Sequence, residues 1–328
     1  MADNLLDKAS ILLTPTAYNV GSMLSIKPTS GDGDFSFSRN GDASRFNSSG
    51  NIVIEGANLP RINYENGCGS WLLEPQSTNI YLNSEILSTQ NNTTLASTYT
   101  VSFYGTGTIT FSGTHTGSLV GTSLTDRVSA TFTATAGTLT STVTGTVTKG
   151  QLEQQSYATS YIPTSGATST RLQDVAKDSG NSTLINSTSG VLYAEIKANA
   201  IYNLQRWISL SDGTTSNVVK IGFNGSTTNY EIVCEVRSGA ALSAYMTYNF
   251  GAVEPTYAKI AFKYKENDFA LWVNGVEVAT DTSGSAPIGL SKLSFNRADG
   301  VQTFFGKAKA VAVFPILTYE QLTALTTF

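Results

Sequence analysis

Apolar and polar residues alternate with a period of two along much of the chain, which puts successive side chains on opposite faces of extended strands. The pattern is cleanest toward the C-terminus. Leu192, Ala194, Ile196 and Ala198 alternate with Tyr193, Glu195 and Lys197, and Ala258, Ile260, Phe262 and Tyr264 alternate with Lys259 and Lys263. Phe269, Leu271 and Val273 alternate with Ala270 and Trp272, then meet Asn274-Gly275 ahead of Val276-Glu277-Val278. Asn-Gly between two such runs signals a tight hairpin, because both residues accept a positive φ. Tyr230, Ile232, Cys234 and Val236 share one face, which makes Cys234 a core residue and not a reactive thiol. The spacing predicts one helix, Tyr319 to about Thr326, with Thr318 and Gln321 placed as a capping box.

Upstream, Tyr99-Thr-Val-Ser-Phe103, Thr108-Ile-Thr-Phe111, Arg127–Phe132 and Leu139–Val143 alternate threonine with apolar residues, and glycine turns lie between them. Short strands at such spacing predict a β-sandwich. Threonine suits a half-exposed pleated face. Before this, Asp32-Gly33, Asn40-Gly41, Ser49-Gly50 and Asn66-Gly67 punctuate short pieces such as Asp34–Phe37 and Asn51–Glu55. The organisation read from the pattern has four parts. Residues 1–82 form an extended docking or oligomerisation segment, 83–172 a first β-sandwich, 173–185 a polar linker, and 186–328 a second β-sandwich. The expected fold class is mostly β: tandem β-sandwich modules behind an extended N-terminal segment, with one short C-terminal helix.

Composition narrows the function classes. At 328 residues the chain suits two or three domains better than one. Charged residues make up only 13%, against roughly 25% in an ordinary soluble protein, so the strand faces are neutral, as in proteins that work outside cells. The net charge is −4 and no basic cluster stands out, which argues against nucleic acid as a partner. Cys68 and Cys234 lie far apart and in no metal-ligand spacing, with Cys68 read as a turn residue. The first residues carry Asp3 and Asp7 and no basic stretch, so no signal peptide is expected. The apolar run Ala310–Leu317 falls far short of the ~20 residues of a membrane span, so no membrane insertion is expected.

Converging reactive groups are hard to find. His115 is the one histidine and has no acid beside it in sequence, so no triad is expected through it. Glu231 and Glu235 are the best carboxylate pair. Four residues apart on one strand face they stand ~13–14 Å apart, beyond the ~5–9.5 Å of glycoside hydrolysis. No catalytic residue is therefore assigned. Asp212, Asp281 and Asp299 sit beside glycine or in turns, where calcium is conceivable but an ordinary turn explains them better. No metal ligand and no cofactor is assigned.

For ligand binding, aromatic faces on a rigid sandwich are the material. Trp207 leads, because Ile208 and Leu210 take one face of its strand and Trp207 the other; Tyr202 and Tyr245 are candidates to join it. Packing of Trp207 against a second sheet or a subunit interface is the weightier alternative. Trp272 is a candidate interface residue, and Trp71 an anchor for the N-terminal segment.

Two resemblances carry the reading further. Gly190–Lys197, Tyr257–Tyr264, Leu271-Trp-Val-Asn-Gly-Val-Glu-Val278 and Phe314–Leu325 occur in the order of LamG-like (concanavalin A-type) jelly-roll modules. Phe35–Asn47 with Arg39 and Arg45, then Leu59-Pro-Arg61-Ile-Asn-Tyr64, then Trp71–Tyr81 with Glu74 and Asn79, resemble sequences of phage tails and fibres. So do Gln151-Leu-Glu153 and Ala158-Thr-Ser-Tyr161-Ile-Pro163, which in such proteins close a carbohydrate-binding-module-like sandwich. Residues 83–148 are shorter and richer in threonine than such a module. The resemblance implies a non-enzymatic structural protein of a tailed-bacteriophage virion surface, as head fibre, head decoration or tail fibre. It implies homo-oligomers, often trimers, and contacts to other virion proteins through the N-terminal segment. It also implies attachment to a host-surface glycan through the C-terminal jelly-roll. The competing expectation is a virion-associated polysaccharide-degrading enzyme.

Overall fold

The computed structural model describes residues 5–201, 204–226, 228–251 and 253–328. The alternating C-terminal segments become two antiparallel sheets packed face to face. One has the strand order Val276–Asp281, Phe269–Val273, Ala258–Lys265, Ser189–Ala198, Gly306–Phe314, Cys68–Leu73, Ile62–Glu65, with Ile11–Leu13 also paired to Gly306–Phe314. The other runs Ala241–Asn249, Glu231–Ser238, Val218–Phe223, Arg206–Ser211, Lys292–Ser294. Leu192, Ala194 and Ile196 from the first sheet meet Ile208, Leu210, Val219, Ile221, Ile232 and Cys234 from the second in one core. The mostly β sandwich fold expected from the alternation is the fold observed. At Asn274-Gly275 the backbone takes φ of 50° and 86°, the double positive φ that a two-residue hairpin turn requires.

The helix Tyr319–Thr326 forms where predicted, and its capping box closes. The Gln321 amide donates to Thr318 Oγ1 at 3.3 Å, and the Thr318 amide donates to Gln321 Oε1 at 3.1 Å. Leu322 and Leu325 bury against Val191, Tyr193, Ala270 and Trp272 on the outer face of the eight-stranded sheet. Trp272 is therefore covered by the chain's own helix, with Tyr319 edge-on at 5.7 Å, and is not the interface residue the sequence suggested.

The N-terminal region is built differently from the expected docking segment. Its partner is the same chain's second sandwich. The strand Gly306–Phe314 pairs along one side with Ile11–Leu13 through residues 311–313 and with Cys68–Leu73 through residues 306–308. Ile11, Leu13, Phe35, Phe37, Trp71 and Leu73 belong to the same core as the jelly-roll strands. Trp71 is 1% exposed, with Tyr18 edge-on at 6.2 Å, so it does anchor this region. The expected linker 173–185 is likewise part of the fold. Val175–Lys177 pairs with Phe35–Ser38, and Ala176 and Ile185 are buried in the core. Short local periodicity could not reveal these pairings, because their partners lie more than a hundred residues away.

The middle sandwich packs the sheet Ser123–Ala134, Ser97–Gly105, Val147–Glu153 on the sheet Gln90–Thr94, Gly137–Thr144, Thr108–Gly113, Gly117–Val120. Tyr99, Val101, Phe103, Ile109, Phe111 and Leu139 fill its core, as the threonine alternation predicts.

Candidate functional site

Where the three regions meet, charges that are far apart in sequence converge at strand ends. Arg39 follows Phe35–Ser38, Arg61 precedes Ile62–Glu65, Glu74 follows Cys68–Leu73, Arg171 ends Ser169–Arg171, and Asp174 precedes Val175–Lys177. None of the five is more than 3% exposed. Buried charges persist only when paired and hydrogen-bonded, and these are. Arg39 donates to one Asp174 oxygen at 2.9 Å and Arg61 to the other at 2.5 Å, while Arg61 also reaches Glu74 at 2.8 Å. Arg171 pairs with Glu74 from the other side. Ser160 donates to Glu74 through its amide at 2.7 Å and its hydroxyl at 2.6 Å. Burial alone would raise the Glu74 carboxyl. Arg171 and Arg61, with the Ser160 hydrogen bonds, outweigh it and hold the group well below the usual carboxylate range.

Beside this ionic knot opens a cleft of about 160 Å³, walled by Phe46, Asn63, Tyr104, Arg127, Asn199 and Lys307. Each of the three regions contributes to it. Lys307 is paired with Glu65, and Arg45 at the rim with Glu55 at 2.5 Å. Arg127 differs. It faces Tyr104 across two paired strands, donates to the Thr159 carbonyl at 2.5 Å and to Ser102 Oγ at 2.7 Å, and has no carboxylate partner among the described residues. Its Nε–H meets no acceptor. Burial raises the Tyr104 phenol, with Arg127 pulling it partly back, so the phenol stays neutral and able to donate at physiological pH. Asn63 accepts from the Phe46 amide at 2.9 Å, which leaves its NH₂ group unspent. Asn199 donates weakly to Leu73 at 3.4 Å, which leaves its carbonyl oxygen unspent. The cleft thus offers a cation, a phenol, an amide donor and an amide acceptor in one small space. A second opening of about 500 Å³ lies by Asp42, Ile54 and Pro163, but its Arg171 is consumed by Glu74.

The ligand residues nominated from sequence do not form a site. Trp207 is 0% exposed. Its indole lies beside Gly222, where a Cβ would come within 3.0 Å of the ring, and Lys220 Nζ caps it at 4.3 Å from the centroid. The indole N–H donates to Gln302 Oε1 at 3.1 Å, and the Trp207 amide donates to the Gln302 carbonyl at 3.1 Å. Alternation placed Trp207 correctly on the outer face, but the segment after Phe295 folds back over that face. Tyr245 is 46% exposed on the edge strand Ala241–Asn249. Two strands separate it from Trp207, about 14 Å at ordinary strand spacing, so the two cannot share one sugar ring. Tyr202 lies outside the described residues.

The remaining nominees are accounted for locally. Glu235 takes up Lys220 at 3.0 Å and Arg237 at 2.5 Å, and Glu231 accepts from Asn224 Nδ2 at 2.6 Å. Asp212 accepts from Thr214 and Asn217, Asp281 from Ser283, and Asp299 from Arg297 and the Val301 amide. No group of three or more acidic, histidine or cysteine side chains placed for a metal occurs among the described residues. His115 stacks on Phe132 at 4.1 Å. Cys234 is buried, and burial pushes its thiol well up. Arg127 and Tyr104 were missed by the sequence reading. The available signal was an arginine in a region with very few charges.

No model of a known protein family matches this chain, nor does any curated protein. Among solved structures it is similar to the CBM40 of the Ruminococcus gnavus IT-sialidase, with a TM-score of 0.36 and 16% identity over 46% of this chain and 93% of that one. It is also similar to Domain 4 of AbnA, a GH43 extracellular arabinanase from Geobacillus stearothermophilus in complex with arabinotriose. There the TM-score is 0.35 and the identity 14%, over 49% and 77% of the two chains. A native heptameric SAP-like pentraxin from Limulus polyphemus gives a TM-score of 0.32 and 10% identity over 46% and 74%.

Proposed function

We propose that this protein is a non-enzymatic surface component of a tailed-phage particle that holds two β-sandwiches in fixed relation and attaches to a host-surface glycan. One observation carries the reading. The stretches that resemble phage tail and fibre sequences contain Arg39, Arg61, Glu74 and Ser160, and these meet in one buried ionic knot. Motifs that matched by accident would have no reason to converge across about 120 residues of chain. Their convergence supports a shared framework, and with it a virion location and homo-oligomeric, often trimeric, assembly. Neutral Thr-rich strand faces suit permanent contacts, and Glu231 and Glu235 are spent on hydrogen bonds and ion pairs and not poised as an acid–base pair.

The test is gold-antibody labelling of purified particles of the encoding phage. Label on the particle is the expected result, with its position at head or tail naming the part. Intact particles that carry no label would overturn the reading.

A further inference from the structure

We infer that the junction cleft binds a carboxylate-bearing sugar, a uronic-acid unit of an acidic polysaccharide, with the sugar carboxylate against Arg127. This rests on the glycan-attachment reading above and narrows it to one site and one ligand chemistry. Around the knot and cleft stand Arg39, Arg45, Arg61, Arg171 and Lys307, and each is ion-paired to Glu55, Glu65, Glu74 or Asp174. The nearby Glu153 is spent on Ser77 and Thr159 and makes no ion pair among the described residues. Among the described residues Arg127 is the cation at this junction with no carboxylate partner, and it lines the cleft.

A guanidinium has five N–H groups. Two hydrogen bonds to Thr159 and Ser102 leave one N–H on each terminal nitrogen, while Nε–H is buried out of reach. A planar carboxylate matches such a fork with two parallel hydrogen bonds. The rest of the cleft matches a sugar body and not a bare anion. The Tyr104 hydroxyl, the Asn63 NH₂ and the Asn199 carbonyl oxygen can each meet a ring hydroxyl, and half-buried Phe46 supplies an apolar wall. The volume of about 160 Å³ is well under the ~300 Å³ at which drug-sized sites begin, so one sugar unit enters and not a chain.

The test is calorimetric titration of the full chain with glucuronate, with glucuronamide (the same ring, uncharged) and with inorganic phosphate. Glucuronate is expected to bind at least ~10-fold more tightly than either of the others, the scale of one charge-assisted hydrogen bond. Arg127→Gln is expected to erase that margin while its thermal midpoint shows it folded. Tyr104→Phe removes a single hydroxyl and is expected to weaken glucuronate about fivefold, which keeps the inference testable if Arg127→Gln does not fold. Equal affinity for glucuronate and glucuronamide, or no binding of either, would overturn the inference and leave the virion placement to stand on the gold label. Phosphate binding as tight as glucuronate would also overturn it, because the cleft would then recognise an anion without a sugar. Glucuronate binding by a protein absent from labelled particles would sink the placement and spare the site.

Discussion

Two places in this molecule gather aromatic and charged side chains, and they differ in how those groups are spent. On the outer face of the five-stranded sheet, Trp207 is fully buried, capped by Lys220 and tied to Gln302, and Glu235 is shared by Lys220 and Arg237. Trp207, Lys220 and Glu235 are all committed within the chain. At the junction the knot of Arg39, Arg61, Glu74, Arg171 and Asp174 is equally committed, but the adjoining cleft keeps Arg127 and Tyr104 in reserve. Residue type nominates a site, and unspent bonding capacity decides it. By that standard the Trp207 face is structure, and the cleft is the place where a ligand gains something that water does not already supply.

The comparison breaks first on stability. Glu74→Ala leaves Arg61 and Arg171 facing each other without their shared carboxylate and is expected to cost about 3–5 kcal/mol in chemical denaturation. A loss under 1 kcal/mol would mean that the knot does not lock the junction. Trp207→Ala is expected to cost a comparable 3–5 kcal/mol through the cavity it leaves, while glucuronate affinity measured on the folded variant stays within twofold of the parent. A selective loss of affinity with stability intact would restore Trp207 as a ligand residue.

Acid sharpens the same contrast at smaller amplitude. The folded-state value of Glu74 is depressed below the ~4.3 of an unfolded glutamate. Its contribution is therefore complete above about pH 4.3 and is lost as pH falls further toward the folded value. Denaturant midpoints followed from pH 6 down to pH 3 should drop, and the drop should be shallower in Glu74→Gln. Parallel curves would show that Glu74 is not the linked group. Smallest of all is Tyr245→Ala on the exposed edge strand, expected within ~0.5 kcal/mol of the parent and without effect on glucuronate titration. A clear loss of binding there would move the site to the sheet edge.

What could be read from the sequence was what is encoded locally. The alternation in Leu192–Ala198 and Ala258–Tyr264, the turn at Asn274-Gly275 and the Thr318–Gln321 cap each need only a few neighbouring residues, and each formed as expected. The pairing of Ile11–Leu13 with Val311–Val313 spans some three hundred residues and has no local signature, so residues 1–82 looked like an extended docking segment when their core lies in the second sandwich. The polar stretch around Asp174 looked like a linker for the same reason. Its charge is useful only once Arg39 and Arg61 arrive from elsewhere in the chain. Trp207 shows the limit from the other side. Period two assigns a face to a side chain and says nothing about what folds back over it. Arg127 was visible as a rare charge in a threonine-rich region, but its lack of a carboxylate partner among the described residues is a property of the assembled junction.

The claim that the cleft, and not the aromatic face, holds ligand is tested most directly by a crystal structure of the full chain grown with glucuronate. Sugar density at the junction, with its carboxylate on Arg127 and a ring hydroxyl near Tyr104, is the expected result. Sugar density over Trp207 or Tyr245, with the cleft holding only water, would contradict it.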